Sequence, residues 1–388
     1  MNQKSRGGKV LLFRLLMATP LLLLIGIGVY IVFSRETINY GEFIFSDDLP
    51  PIRVVEASNS GLNIFATGNQ QERYALHATT INTGDFSFFD NDGTIALNNN
   101  LNLNVAQETV YVIFENALAN TREFGEQPPE RETFILKVFY EFEEIEFRVG
   151  EQQAFHTEFL FNLSEGYQVH IPIQLPAVVG TNNQWGNLTI AIFATPQYNT
   201  VNHLAQWYHY CADCFREFSV SSHGVGIVAN FALSVGKKDE FLLHNQEQYV
   251  EETDLILSVN PEFLAEGFED ILTEVPPSPW IVSPGEEVKI GFAIHNSDYL
   301  QLQYSPIEID DFVIIGLLNW EQIKLNGMSH FWESSRIEAN ETKEGYFVIN
   351  APSEHGYYDF VAFAVGNPNE VNHFQTGAVA LRFTIKVE

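Results

Sequence analysis

FILKVFYEFEEI, Phe134 to Ile145, and FVIIGLLNWEQI, Phe312 to Ile323, read as two versions of one text set 178 residues apart. Outward from this pair the correspondence spans Val110 to His203 in one place and Val288 to His373 in the other. Val110 meets Val288 and Phe114 meets Phe292 at the same spacing, and Gly166 meets Gly345 at 179. EGYQVHIPIQLP, from Glu165, stands against EGYFVINAP, from Glu344. LTIAIFATPQYNTVNH, from Leu188, stands against YDFVAFAVGNPNEVNH, from Tyr358. An apolar run closes each copy, GIVANFALSVG from Gly226 and GAVALRFTIKVE from Gly377. Self-similarity over this length implies two successive domains of one fold rather than a solenoid of short repeats.

Both copies are written in short alternating runs such as TVYVIF, EIEFRV and LTIAIF, then EEVKIGFAI, DFVIIGLL and YDFVAFAV. These are rich in β-branched and aromatic residues, and turn clusters such as EQPPE and GTNNQWG separate them. With no interleaved helical period, the pattern predicts a mainly β chain of two antiparallel sandwiches. Phe114 and Phe292, Phe134 and Phe312, and Phe231 and Phe383 are its expected core pairs. One helix candidate, NPEFLAEGFEDILT, Asn260 to Thr273, precedes the breaker PPSPW. The phrase SPGEEVKIGFAIHN, Ser283 to Asn296, resembles the immunoglobulin-like modules of bacterial surface proteins, which open with a Pro-Gly turn before a core strand. The resemblance implies tandem immunoglobulin-like sandwiches. It lacks the Cys-Trp-Cys signature of antibody domains and carries no function with it.

At the start of the chain Lys4, Arg6, Lys9 and Arg14 stand without an acid, and Leu15 to Phe33 is a nineteen-residue run without a charge. That length spans a bilayer, and the basic flank predicts a signal anchor with its N-terminus cytoplasmic and the rest outside the cell. No A-x-A-like cleavage site follows. The expected layout is a basic segment 1–14, a transmembrane helix 15–33, a stalk 34–50, a first sandwich 51–240 with an insertion at 204–221, and a second sandwich 241–388 that includes a linker at 260–280. Beyond Ser34, 16 Lys and Arg face all 50 acids, a balance of −34. Such a surface repels nucleic acid and anionic lipid.

The copies are unequal in one place. His203 lies 23 residues before Gly226, whereas His373 lies 4 before Gly377. The excess holds HLAQWYHYCADCFREF, with both cysteines of the chain, Cys211 and Cys214. Outside the cell this Cys-x-x-Cys reads as a disulfide that pins a long loop. A zinc or copper site using Cys211, Cys214 and His209, or a thiol-active pair, is the other reading. Trp207, Tyr208, Tyr210 and Phe215 make the same loop a candidate binding tip for a protein or cell-wall partner.

Other motifs point to less. Asp90-Asn91-Asp92-Gly93 begins like a calcium loop but no acid follows until Glu108, so a hairpin turn explains it. EFEEIEF, Glu141 to Phe147, reads as a strand with alternate carboxylates on one face. His203 and His373 end matching VNH phrases and read as polar turn residues. Catalytic triad grammar, phosphate loops and HExxH do not occur. The expectation is a membrane-anchored, non-enzymatic envelope protein that needs no cofactor.

Overall fold

A computed structural model describes 51–56, 74–79, 100–104, 108–116, 132–177 apart from 153 and 165, 179, 186–194, 226–236, 254–260, 279–297, 309–338, 341–368, 375–379 and 383–388. All of these fall in one compact unit, formed by Asp47–Asn82 with Phe86–Glu388. The predicted membrane helix, the stalk up to residue 50 and DNDG lie outside the described residues. Among the described residues no helix is long and apolar enough to cross a membrane.

The first half contributes β1 (Arg53–Glu56), β2 (Tyr74–Thr79), β3 (Asn100–Leu103), β4 (Thr109–Asn116), β5 (Glu132–Tyr140), β6 (Glu143–Glu144), β7 (Arg148–Val149), β8 (Glu158–Leu163), β9 (Tyr167–Gln174), β10 (Gly186–Ala194) and β11 (Gly226–Val235). The second contributes β12 (Asp254–Asn260), β13 (Trp280–Val282), β14 (Glu287–Ser297), β15 (Ile309–Leu318), β16 (Glu321–Gln322), β17 (Phe331–Ile337), β18 (Thr342–Asn350), β19 (Gly356–Gly366), β20 (Gln375–Val379) and β21 (Phe383–Val387). The protein is mainly β, with its sheets arranged as sandwiches.

In the first half β4 lies between β2 and β9, while β5 lies between β8 and β10, and β10 leads on to β11. β3 runs parallel to β11. In the second half β14 lies between β12 and β18, β15 lies between β17 and β19, and β19 leads on to β21, with β13 parallel to β21. One difference is the edge of β9. It pairs with β1, Arg53 opposite His170, and no described strand takes the corresponding side of β18.

Each half has its own apolar core, because alternate residues of its two sheets point inward. Phe114 and Phe134 meet edge to face at 4.8 Å in one, and Phe292 and Phe312 at 6.0 Å in the other. Those four rings and Phe231 and Phe383 are all buried. Gly166 and Gly345 do not occupy matching places. Gly166 sits in the turn before β9 with φ 79°, whereas Gly345 pairs with Phe292 inside β18, where an added Cβ would come within 2.4 Å of that ring. The Pro-Gly phrase folds as read: Gly285 has φ 71° and the Glu286 N–H donates to the Ser283 carbonyl at 3.1 Å, a type II turn feeding β14.

A third core joins the halves. Ile135, Phe139, Ala191, Phe193 and Val228 point away from the first core and pack with Val313, Ile315, Leu317, Val361, Phe363 and Val365 of the second half. Phe139 and Phe363 stand 5.3 Å apart. The central strands are therefore buried on both faces, which is why ILKVF, LTIAIFA and FVIIGLL are almost unbroken apolar runs. β11 also pairs antiparallel with β20, Val228 opposite Gly377, so one sheet continues from half to half.

Candidate functional site

The predicted tip falls outside the described residues. This covers Trp207, Tyr208, His209, Tyr210, Cys211, Cys214 and Phe215, as well as His203 and His373. Its supports are described. β10 and β11 are antiparallel neighbours, Phe193 opposite Gly226, and the connection between them is 195–225, thirty-one residues. In the second half β19 and β20 are joined by 367–374, eight residues. Asn260, the expected helix start, ends strand β12, and the remainder of that candidate is outside the described residues.

The acid-rich stretch is not a continuous strand. Glu141 and Phe142 have φ 51° and 64° and form the two-residue loop of a hairpin, with Tyr140 opposite Glu143. Asn319 and Trp320, at φ 48° and 70°, do the same between β15 and β16. Two positive φ values define the tight turn whose twist matches paired strands. Each tip is clasped to the neighbouring strand. The Glu141 N–H donates to the Asn187 carbonyl at 2.9 Å, and the Asn187 N–H returns a bond to Glu141 Oε1 at 2.9 Å. Asn319 and Asp359 exchange the same two bonds at 2.8 Å.

These tips reach across the joint. Phe142 packs against His330 and Trp332 of the second half, and Trp320 against Phe193 of the first. Beside them the Glu144 N–H donates to Gln322 Oε1 at 2.6 Å, while the Gln322 N–H points to Glu144 Oε2 at 3.4 Å. Gln322 Nε2 donates to the carbonyls of Phe142, 2.8 Å, and Ser329, 2.9 Å. Lys137, 1 % exposed, holds Glu144 at 2.5 Å and Glu158 at 3.4 Å. A buried cation needs such partners. Sequence reasoning missed this constellation; its one signal was the loss of alternation in the strands that carry it.

Four histidines are held below their ordinary range by burial: His77 and His170, each to about 4, and His295 and His330. Arg53, opposite His170, adds to the depression there, while Glu143 and Glu141 oppose it at His330. Neutral imidazoles can ligate metals. Among the described residues, however, no three His, Cys, Asp or Glu side chains converge as a metal site would need. Leu160, opposite Ile135 on β8, Trp332, beside Phe142, and Met328 are exposed apolar side chains, at 54 %, 38 % and 59 %.

No family model matches the chain, and no curated protein matches it. Solved structures to which the chain is similar include fibronectin(III)-like modules of CbhA from Clostridium thermocellum, 11 % identical, covering 76 % of this chain and 92 % of that one, at a TM-score of 0.17. The C-terminal domain of the antigen I/II-family protein AspA of Streptococcus pyogenes is 7 % identical, covering 81 % and 99 %, at 0.19. A family 123 glycoside hydrolase from Clostridium perfringens is 11 % identical, covering 35 % and 27 %, at 0.21. These likenesses select no activity.

Proposed function

We propose that this protein is a membrane-anchored, extracytoplasmic, non-enzymatic binding protein: two immunoglobulin-like sandwiches, arisen by internal duplication and carried on the helix Leu15 to Phe33, that present the 204–221 loop to a protein or cell-wall partner. The observation that carries this reading is the unequal connection between otherwise corresponding strands, thirty-one residues against eight. Long loops on a rigid scaffold are where recognition concentrates, and aromatic residues supply most contact energy there. The duplication is supported by the shared strand neighbours of the two halves and by their matching tip clasps. The anchor is supported by the basic, acid-free start of the chain and the acidity of everything after it.

In this reading Cys211 and Cys214 form a disulfide that pins the loop, and Trp207, Tyr208, Tyr210 and Phe215 make the contact. Deleting Leu204 to Ser221 leaves both sandwiches folded, seen as unchanged far-ultraviolet circular dichroism and melting, and abolishes capture of the partner in a pull-down from the cell envelope. Full capture after the deletion refutes the assignment. Thiol labelling of both native cysteines refutes the disulfide.

A further inference from the structure

We infer that Glu144 and Gln322 make the joint selective for unlike halves, so that the outer face of the first sandwich fits a second sandwich of this chain and rejects another first sandwich. The apolar part of the joint offers aliphatic and aromatic side chains on both faces. The reciprocal backbone bonds do not discriminate, because a carboxylate and a carboxamide both accept from an N–H. Selection comes from the remaining atoms. Gln322 Nε2 donates to two carbonyl oxygens, one of them Phe142 of the other half. A carboxylate has no hydrogen to give them and would face both oxygens, and Glu144 as well, with its charge.

Glu144 tolerates its own charge because Lys137 lies against it. The residue 178 positions beyond Lys137 is Ile315, which belongs to the apolar joint, so the second half offers no such cation. A first half set in the place of the second would bring Glu144 to the position of Gln322 and, with it, Lys137 to that of Ile315. The donated bond to the Phe142 carbonyl, the one that crosses the joint, would be lost, and a carboxylate would face that oxygen. The charged and titratable groups around that position are Glu141, Glu143 and Glu144 on the first half, Lys137 and Glu158 behind Glu144, and Glu321, Lys324 and His330 on the second.

The test uses the full-length chain in detergent, with a protease site inserted within 237–253. After cleavage the fragments are diluted and their co-elution is followed at pH 7 and pH 4.5. Wild-type fragments are expected to co-elute at both. Gln322→Glu fragments should associate about tenfold more weakly at pH 7, where the donated bond to the Phe142 carbonyl is lost and a carboxylate faces it, and recover to within about threefold of wild type at pH 4.5, where a carboxyl of ordinary pKa is protonated in a large share of molecules and can donate one bond. Gln322→Ala controls for packing and should be weak at both pH values. Wild type measured alongside corrects for titration of His330 and, in the first half, of His77 and His170. Wild-type fragments that separate, Gln322→Glu fragments that co-elute like wild type at pH 7, or Gln322→Glu fragments that stay apart at pH 4.5 each overturn the inference.

Discussion

His77 is fully enclosed beside Phe231, and burial holds its imidazole near a pKa of about 4. In the unfolded chain it titrates near 6.5, so below that pH the unfolded state binds the extra proton. The stability is complete above pH 6.5 and is lost as the pH falls toward 4, by roughly 3 kcal/mol for a full shift of this size. His170 acts in the same direction, more weakly because it is part exposed. Urea midpoints at pH 7 and pH 4.5 measure the loss, and His77→Leu should shrink the difference between them. An undiminished difference would exclude His77. At Glu141 the backbone is left-handed, which costs a non-glycine residue about 1 kcal/mol and an asparagine less. Asn319 fills the same role in the second half with the same two bonds, so Glu141→Asn should raise the melting temperature or leave it unchanged. These residue-scale features were hidden in the sequence. Glu-Phe carries none of the Asn-Gly signal of a tight hairpin, and the clasp partner Asn187 is remote from it in the chain.

At the scale of strands, periodicity was informative about what faces inward. Phe134 and Phe312 were legible as core residues because each sits in a β-rich run at the same offset, and both are buried against a second phenylalanine. Phe134→Ala or Phe312→Ala should cost about 3–5 kcal/mol, read from chemical denaturation. A loss under 1 kcal/mol would mean that the rings do not hold the sheets together. Gly345 extends the argument, since Phe292 occupies the space its Cβ would need, and Gly345→Ala should destabilise the second half. What periodicity could not give was the other face of β5, β10, β15 and β19. An unbroken apolar strand signals burial on both sides but does not name what covers it. Short strands such as β1 and β3 also escaped, four residues being too few to show a period.

For the whole molecule, the mainly β, sandwich-like character followed from the alternating runs, whereas the order of strands within each half and the way the halves close on each other did not. That closure depends on particular side chains, Phe142, Glu144, Trp320 and Gln322, whose neighbours are distant in sequence. It also has a consequence for solubility. The pairing of β11 with β20 occupies strand edges that would otherwise be open, at Val228 to Asn230 on one side and Gln375 to Gly377 on the other. GIVANFAL, Gly226 to Leu233, has no charge and no proline, the composition that stacks into fibrils once an edge is free. The joint thus acts as the chain's guard against self-aggregation. A variant whose halves part will be met first as a turbid solution, and only afterwards as a less stable protein.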